Sequence, residues 1–108
     1  MAKLEKEIQA ELIKIIRKHP RVAFIDRANS GKVRVKGGFM QLHRKGTPDL
    51  IGFTTSGKFI GIELKRPDTK NAIKPEQAEM QKVMKDCWCV CGIAYDEASL
   101  QLILDTIC

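Results

Sequence analysis

Gly46-Thr-Pro-Asp-Leu-Ile-Gly-Phe53 and Phe59-Ile-Gly-Ile-Glu-Leu-Lys65 are two apolar segments separated by a short polar turn at 54–58. Both segments have the length and composition of β-strands, and the residues between them are typical of a turn. Two strands joined by a tight turn place the start of the first strand beside the end of the second. The sequence therefore predicts a β-hairpin in which Asp49 and Glu63 meet at one end.

The second strand of this hairpin has two chemically different faces. Because side chains alternate along a strand, Glu63 and Lys65 share one face, whereas Ile62 and Leu64 point to the other. Two carboxylates and one ammonium group are thus predicted to converge where the rest of the hairpin is apolar.

This set of groups is suited to hydrolysis of a phosphodiester. Mg²⁺ binds proteins through one or two carboxylates while keeping several waters, so Asp49 and Glu63 are candidate ligands and the main-chain carbonyl of Leu64 is a candidate for a further one. A bound metal ion activates water and polarises the phosphoryl group, and Lys65 is a candidate to orient that water or to stabilise developing charge. The alternative is a surface ion pair of Glu63 with Lys65, but the adjoining Gly-x-Pro-Asp motif favours a nuclease.

The composition predicts one folded domain covering residues 1–108. Hydrophobic residues make up 44% and charged residues 30% of the chain, which excludes an intrinsically disordered protein. The sequence contains no run of about 18 apolar residues, so no transmembrane helix is predicted. Charged residues interrupt the N-terminal segment, which therefore does not resemble a signal peptide. A cytoplasmic protein is expected.

Basic residues are concentrated in one segment of a chain whose net charge is +6. Between Arg27 and Pro48 there is no acidic residue. The candidate contacts to a nucleic-acid backbone are Arg27, Lys32, Arg34, Lys36, Arg44 and Lys45. The alternating members Lys32, Arg34 and Lys36 would extend to one side of a strand, which suits a polyanion. A solvated basic loop is the alternative, and continuity with the aspartate of the hairpin favours substrate contact.

Hydrophobic periodicity predicts the remaining elements. They are a helix at about 3–18, strands at 22–27 and 33–35, a flexible elbow at 37–38, a helix from 75 to about 85, a strand at 88–95 and a final helix capped by Asp96. A helix connects the hairpin to the last strand, which should therefore pair in parallel with it. A mixed sheet flanked by helices follows.

The four cysteines do not have the spacing of a zinc site. Cys87, Cys89 and Cys91 alternate along the predicted last strand and would share one face, while Cys108 is terminal. Reduced thiols that act as small buried hydrophobes are the expected role.

Two helical residues are further candidates for the site. On the first helix Glu5 lies inside the apolar sector, whereas Glu7 lies outside it and Glu11 at its border. A core-facing acid needs a partner or a metal, so Glu5 is the candidate third acid; a carboxylate favoured by the helix macrodipole is the alternative. On the later helix, Gln77 either faces the site and holds Glu63 or a phosphate, or is simply exposed.

The element order and the residues Gly46-Thr-Pro-Asp49, Ile62-Glu-Leu-Lys65 and Gln77 resemble the PD-(D/E)XK nuclease superfamily. Within it the chain looks most like a stand-alone VRR-NUC domain of the bacteriophage type. The likeness covers nearly the whole chain, including Glu5-Lys-Glu-Ile-Gln9 and Arg27-Ala-Asn-Ser-Gly31. It implies an αβββαβ core and phosphodiester hydrolysis that depends on Mg²⁺ or Mn²⁺.

The resemblance also implies residue roles. They are Asp49 and Glu63 as metal ligands, Lys65 as the catalytic lysine, Gln77 as the supporting helix glutamine and Glu5 as the first-helix acid. Ser30 joins the candidate nucleic-acid contacts through the segment in which it lies. One departure from the pattern is Asp86-Cys-Trp-Cys89, where such domains often place a glycine before the last strand.

The expected protein is thus a cytoplasmic, metal-dependent endonuclease that selects DNA by shape, as in a Holliday junction. If the chain is phage-encoded, the cytoplasm is that of a bacterial host cell. Similar single-domain nucleases tend to be homodimers, and a two-fold dimer suits a four-way junction because two active sites can cut two strands. Flap, nick or non-specific cleavage is an alternative, and so is a non-catalytic basic DNA-binding module. RNA also stays open as a substrate.

Overall fold

A computed structural model describes residues 5–28, 32–41, 46–65 and 73–107 of the chain. The elements in these ranges are α1 (Glu5–Arg17), β1 (Val22–Arg27), β2 (Lys32–Val35), β3 (Gly38–Gln41), β4 (Leu50–Thr54), β5 (Phe59–Leu64), α2 (Pro75–Asp86), β6 (Val90–Ala94) and α3 (Glu97–Leu104). They form a mixed α/β fold. None of the helices in these ranges is long and apolar enough to cross a membrane.

The main sheet has four strands in the order β1-β4-β5-β6. β4 and β5 form the predicted antiparallel hairpin, in which Leu50 lies opposite Ile62 and Phe53 opposite Phe59. β6 pairs with β5 in parallel, as expected for two strands connected through α2, and β1 pairs with β4 in the antiparallel sense. The prediction of a mixed sheet is confirmed.

One face of this sheet carries the main hydrophobic core. Leu50, Ile60 and Ile62 on the sheet are 0% exposed and belong to the same buried cluster as Ile16 of α1 and Leu100 of α3. Burial of each such side chain contributes about 1.5–3 kcal/mol relative to exposure. This face, covered by α1 and α3, is the principal source of the stability of the fold.

α2 lies across the opposite face, above Gly61. A Cβ atom at Gly61 would come too close to the Met84 sulfur and within 3.0 Å of Pro48 Cγ, so a glycine is needed for this approach. α2 covers this face incompletely. Toward the far end of this face, Phe24 is 48% exposed, Phe53 50% and Phe59 42%.

A second hairpin follows β1, where the sequence predicted one short strand and an elbow. β2 and β3 pair in the antiparallel sense, and Lys36 and Gly37 form the turn between them. Gly37 has φ of +91°, a conformation that glycine adopts without a steric cost. The glycine therefore closes a turn instead of loosening the chain. The expectation that three alternating cations extend from one strand is wrong for Lys36, which lies in the turn.

The last strand is shorter than predicted because the residues before it complete the end of α2. The N–H of Trp88 donates to the Lys85 carbonyl at 3.1 Å, and the N–H of Cys89 donates to the Met84 carbonyl at 2.9 Å. These two bonds define a Schellman motif, in which glycine usually occupies the left-handed position. Here Trp88 occupies it, with φ of 64°. Trp88 thus occupies the helix-end position at which glycine is usual.

The expectation that the three alternating cysteines share one face of a strand is also wrong, because the residues before β6 belong to the end of α2. Cys87 is the C-cap residue of α2 and is exposed, Cys89 lies in the turn, and Cys91 alone of these three lies in β6. All three are free thiols. The expected burial is therefore wrong for Cys87 and partial for the other two, while Cys108 lies outside the described residues.

Candidate functional site

Asp49 and Glu63 meet at one end of the hairpin, as the sequence predicts. The backbone N–H of Asp49 donates to Glu63 Oε1 at 3.0 Å. In return, Asp49 Oδ2 accepts from the backbone N–H of Leu64 at 2.8 Å. Each carboxyl group is therefore anchored by the strand that carries the other one, which fixes the pair at the edge where β4 begins and β5 ends.

Glu63 is an almost fully buried acid. Its exposed fraction is 1%, and within the described part of the chain Oε2 has no hydrogen-bond partner. Burial and, secondly, the charge of Asp49 raise the pKa of Glu63 to about 7, although the Asp49 N–H and the charge of Lys65 act in the opposite direction. A buried carboxyl group with an unused oxygen is costly unless a proton or a cation neutralises it.

Lys65 lies directly beyond the end of β5. Its backbone N–H donates to the Ala94 carbonyl at 3.0 Å, so the pairing with β6 continues through this residue. Strand alternation then places Lys65 on the same face as Glu63. Its side chain is partly buried, and its charge lowers the pKa of Glu63. Lys65 is therefore within electrostatic reach of Glu63.

The main-chain carbonyl of Leu64 faces the same edge. The N–H and C=O of one strand residue project toward the same neighbouring strand, as paired residues of a ladder show. Since the Leu64 N–H donates to Asp49 Oδ2, its carbonyl projects toward the Asp49 side of β5. The predicted third oxygen donor therefore lies on the side of the strand where the carboxyl groups meet.

The Gly-x-Pro-Asp motif has a structural reason for each of its defined residues. Gly46 has φ of +91°, and a Cβ atom on it would lie 2.6 Å from the main-chain oxygen of Glu76 in α2. Pro48 is buried against Gly61. The motif thus lets the chain pass under the first turn of α2 and delivers Asp49 to the sheet.

Arg27 is a candidate nucleic-acid contact at the same end of the sheet. It ends β1 opposite Leu50, and the N–H of the next residue, Ala28, donates to the Asp49 carbonyl at 2.8 Å. Arg27 and Lys36 are exposed. Two other candidates, Lys32 and Arg34, belong to β2. The candidates that lie outside the described residues are Ser30, Arg44 and Lys45.

The start of α1 lies toward this end of the sheet. Ile8 and Tyr95, which follows β6, line one cavity, and Glu11 lines it as well. Glu5 is the first residue of α1, but its side chain lies outside the described part of the structure. Glu7 and Glu11 are exposed. Glu5 as the third acid therefore stays a prediction, and the helix direction is compatible with it.

Gln77 stabilises the start of its own helix. Its Oε1 accepts from the backbone N–H of Lys74 at 3.1 Å, and within the described residues no hydrogen bond joins Gln77 to Glu63. Sequence reasoning gave no role to Gln81, whose amide nitrogen is buried without a partner among the described residues. The available signal was its position one turn after Gln77 on the same stripe of the helix. A supporting role of Gln77 stays a prediction.

The donor atoms at this site fit a hard divalent cation. Within the described ranges no group of three or more His, Cys, Asp or Glu side chains is arranged to hold a metal. Mg²⁺ does not need such a group, because it keeps several waters and uses one or two carboxylates. The unpartnered Oε2 of Glu63 is the specific feature that a cation would satisfy.

Comparison with known proteins gives this chain no family and no relative. No protein-family model matches the sequence, and a search of curated proteins finds no match. The contact between Asp49 and Glu63, with Lys65 on the same face, is therefore the observation that bears most directly on function.

Proposed function

We propose that this protein is a metal-dependent endonuclease of the PD-(D/E)XK type, similar to stand-alone VRR-NUC domains, that hydrolyses phosphodiester bonds in branched DNA such as Holliday junctions. The observation that carries the proposal is the anchored pair of Asp49 and Glu63 at a buried strand end. The path through α1, β1, β4, β5, α2 and β6 supports it, because an αβββαβ order is what the resemblance implies.

Asp49, Glu63 and the main-chain carbonyl of Leu64 would hold Mg²⁺ or Mn²⁺. Glu63 contributes Oε2, which is buried and without a partner among the described residues. Asp49 Oδ2 accepts from the Leu64 N–H, which fixes the Asp49 carboxylate as the second proposed ligand. A bound ion of this kind supplies a water of lowered pKa and polarises the phosphoryl group.

Lys65 acts on the reacting phosphate. Its ammonium group has donors but no acceptor, so it can orient the attacking water or stabilise charge on a phosphate oxygen. Partial burial lowers the screening of this charge by solvent, which makes the interaction stronger than on an open surface. Glu5 and Gln77 complete the proposed set as the first-helix acid and the supporting glutamine.

Cationic residues bind the DNA backbone. Arg27 is exposed beside the Asp49 segment, and Lys36 is exposed in the turn of the β2–β3 hairpin. Phosphate contacts of this kind position a nucleic acid without reading its sequence, which agrees with selection by shape. We further propose a homodimer, because two symmetric active sites match the two strands cut in a junction. The proposed location is the cytoplasm, that of a bacterial host cell if the chain is phage-encoded.

Cleavage of a synthetic four-way junction tests the site. In Mg²⁺ or Mn²⁺ the wild-type protein should cut, whereas Asp49→Asn, Glu63→Gln and Lys65→Ala should not. The matched controls are Glu79→Gln, an exposed glutamate of α2, and Lys14→Ala, an exposed lysine of α1; both should cut as the wild type does. Thermal unfolding of each variant shows whether a loss of cutting is a loss of folding.

The outcomes separate the possible functions. Equal cutting by the wild type and by all three site variants would reject the site, and binding without cutting in either metal would indicate a non-catalytic DNA-binding module. Comparing the junction with a flap, a nicked duplex, a linear duplex and an RNA junction identifies the preferred substrate. Titration with Mn²⁺ in the absence of DNA tests the metal site independently of cleavage.

A further inference from the structure

A basic groove lies along the β6 edge of the sheet, beside the C-terminal half of α2. Its lining includes Lys58, Gln81, Lys82, Lys85, Asp86 and Trp88, and its volume is about 810 Å³. Ligand sites commonly have volumes of about 300–1,000 Å³. Lys58 precedes β5 and Glu63 lies near its end, so five residues of strand, about 16 Å, separate Lys58 from Glu63. Other parts of the lining extend along β6 as far as Gly92, which pairs with Ile62, but neither Asp49 nor Glu63 lines the groove.

Trp88 is the most unusual residue in this groove. Its side chain is 80% exposed, so it contributes little burial to the fold, and its φ of 64° is disfavoured for any residue with a Cβ atom. A glycine at this helix end would be more stable by both criteria. A residue that is unfavourable for stability in two ways is a reasonable candidate for a binding function.

The charges around Trp88 suit an anionic ligand. Lys58, Lys82 and Lys85 are exposed, and within the described ranges none of them forms an ion pair. Asp86 is the single acid in the described lining. Gln81 adds an amide nitrogen that is buried without an acceptor in the described part of the chain. Three cations and an exposed indole thus line one cavity.

We propose that this groove binds an unpaired strand of nucleic acid, with one base stacked on Trp88 and the phosphates on Lys58, Lys82 and Lys85. Proteins that bind single strands combine cationic grooves with aromatic rings, because every base offers a π-face. The bases of a duplex are already stacked on one another, which leaves the exposed indole without a partner. An unpaired strand therefore fits the groove better than a duplex does.

The inference rests on the proposed nuclease function in one respect, namely that the strand belongs to the same substrate. The separation of about 16 Å along β5 would let one nucleic acid occupy both regions. The acidic site then holds the phosphate to be cut, while the groove holds an unpaired flank. Binding in the groove itself requires neither metal nor cleavage, so the two proposals can fail separately.

Trp88 provides a direct readout because it is the only tryptophan in the chain. An oligothymidylate added in EDTA should quench its fluorescence in a saturable manner that weakens with salt. An abasic oligonucleotide of equal length carries the same phosphates and should bind with much less quenching. Absence of quenching by the oligothymidylate, or equal quenching by both, would overturn the proposal.

Variants separate the aromatic and cationic contributions. Trp88→Gly fits the backbone conformation and should weaken binding of a labelled oligothymidylate by about 5- to 150-fold, the loss expected for one base–aromatic stack. Trp88→Tyr should retain most of the affinity. Leu102→Ala is the matched control, because this α3 side chain is 71% exposed and lies outside the groove lining. Equal affinities of Trp88→Gly and the wild type would reject the stacking.

The charge contribution has its own signature. Lys82→Ala combined with Lys85→Ala should reduce the salt dependence of binding by about 1 to 2 units of the log–log slope, since each phosphate contact contributes about 0.7 for a single strand. An unchanged slope would reject these contacts. Asp49→Asn should quench as the wild type does. Quenching by a wild-type protein that does not cleave would support strand binding in the groove and reject the nuclease function. Cleavage without quenching would support the nuclease function and reject strand binding in the groove.

Discussion

Neighbouring residues of β5 lie on faces of the sheet with opposite properties. Ile62 is 0% exposed among the apolar side chains covered by α1 and α3, whereas Glu63 is 1% exposed on the face that α2 covers. The two residues are almost equally buried. The side chains packed around Ile62 are apolar and need no hydrogen-bond partner, whereas Glu63 Oε2 has none among the described residues. Equal burial therefore does not indicate an equal role in stability.

The unfavourable features of this protein are concentrated away from the apolar core. Glu63 Oε2 and the amide nitrogen of Gln81 are buried without partners among the described residues. Trp88 holds a left-handed conformation, and aromatic side chains such as Phe53 are half exposed. Groups of this kind reduce stability and commonly mark functional sites. The contrast between the faces predicts that substitutions on each will have different consequences.

The largest effect is expected on the apolar face. Ile62→Ala removes a fully buried side chain and leaves a cavity, so the free energy of unfolding should fall by about 2–5 kcal/mol. Chemical denaturation measures this loss. The fraction of protein that stays folded should keep its affinity for Mn²⁺. A loss of less than about 1 kcal/mol would show that the two faces do not differ in this way.

Glu63→Gln should show the opposite pattern. Removal of one ligand charge is expected to lower Mn²⁺ affinity by at least about 100-fold, the upper range for changes in groups that only support ligands. The free energy of unfolding in EDTA should not fall, because the neutral amide avoids burial of a charge. Calorimetric titration and denaturation measure the two quantities, with Glu79→Gln as the control. Unchanged metal affinity would exclude Glu63 from the metal site.

The stability of the metal-free protein should depend on pH through Glu63. Its pKa is raised from 4.5 to about 7, so between these values the folded protein holds a proton that the unfolded chain has released. The contribution to stability is complete below pH 4.5 and is lost as pH rises to about 7, with a slope of at most about 1.4 kcal/mol per unit. Denaturation at several pH values in EDTA measures it.

Two further measurements test the origin of that slope. Glu63→Gln should remove it, and a saturating divalent cation should abolish it as well, because the cation-bound carboxylate, like that of the unfolded chain, holds no proton between pH 4.5 and 7. A slope that persists in Glu63→Gln would assign the effect to another group.

The smallest effect is expected for the backbone at the end of α2. Trp88→Gly relieves the left-handed strain but increases the freedom of the unfolded chain, and the net gain in stability should be about 0.5–1 kcal/mol. Thermal unfolding measures this change, with Leu102→Ala as a control for the loss of an exposed apolar side chain. A destabilised Trp88→Gly protein would mean that the indole supports the fold, contrary to its 80% exposure.

Several parts of the fold were predictable because their signals are local. The alternation around Glu63, the Ser–Gly turn and the apolar runs are properties of consecutive residues, and they define the hairpin that brings Asp49 to Glu63. The Asp96 cap is equally local: its side chain accepts from the N–H of Ser99 at 2.8 Å. The parallel pairing of β6 followed from the length of its helical connection.

Other features were not predictable because they depend on distant contacts or on competing local structures. β3 was missed since a Gly-Gly pair is compatible with both an elbow and a tight turn, and the pairing with β2 selects the turn. The sequence analysis places Trp88 at the start of the last strand, yet this residue belongs to the Schellman motif that ends α2. The stripe shared with Gln77 did not by itself indicate that the Gln81 amide nitrogen is buried, because that burial comes from packing of α2 beside β6.

The chain on its own specified which chemical groups exist and which of them share a strand face, because alternation and turn formation act over a few residues. Tertiary packing decided that Glu63 is buried beside Asp49, with Oε2 left without a partner in the described structure. Packing also left the indole of Trp88 exposed among lysines. Burial and charge proximity depend on elements far apart in the sequence, and these quantities determine whether a carboxylate or an aromatic ring can act as a binding site.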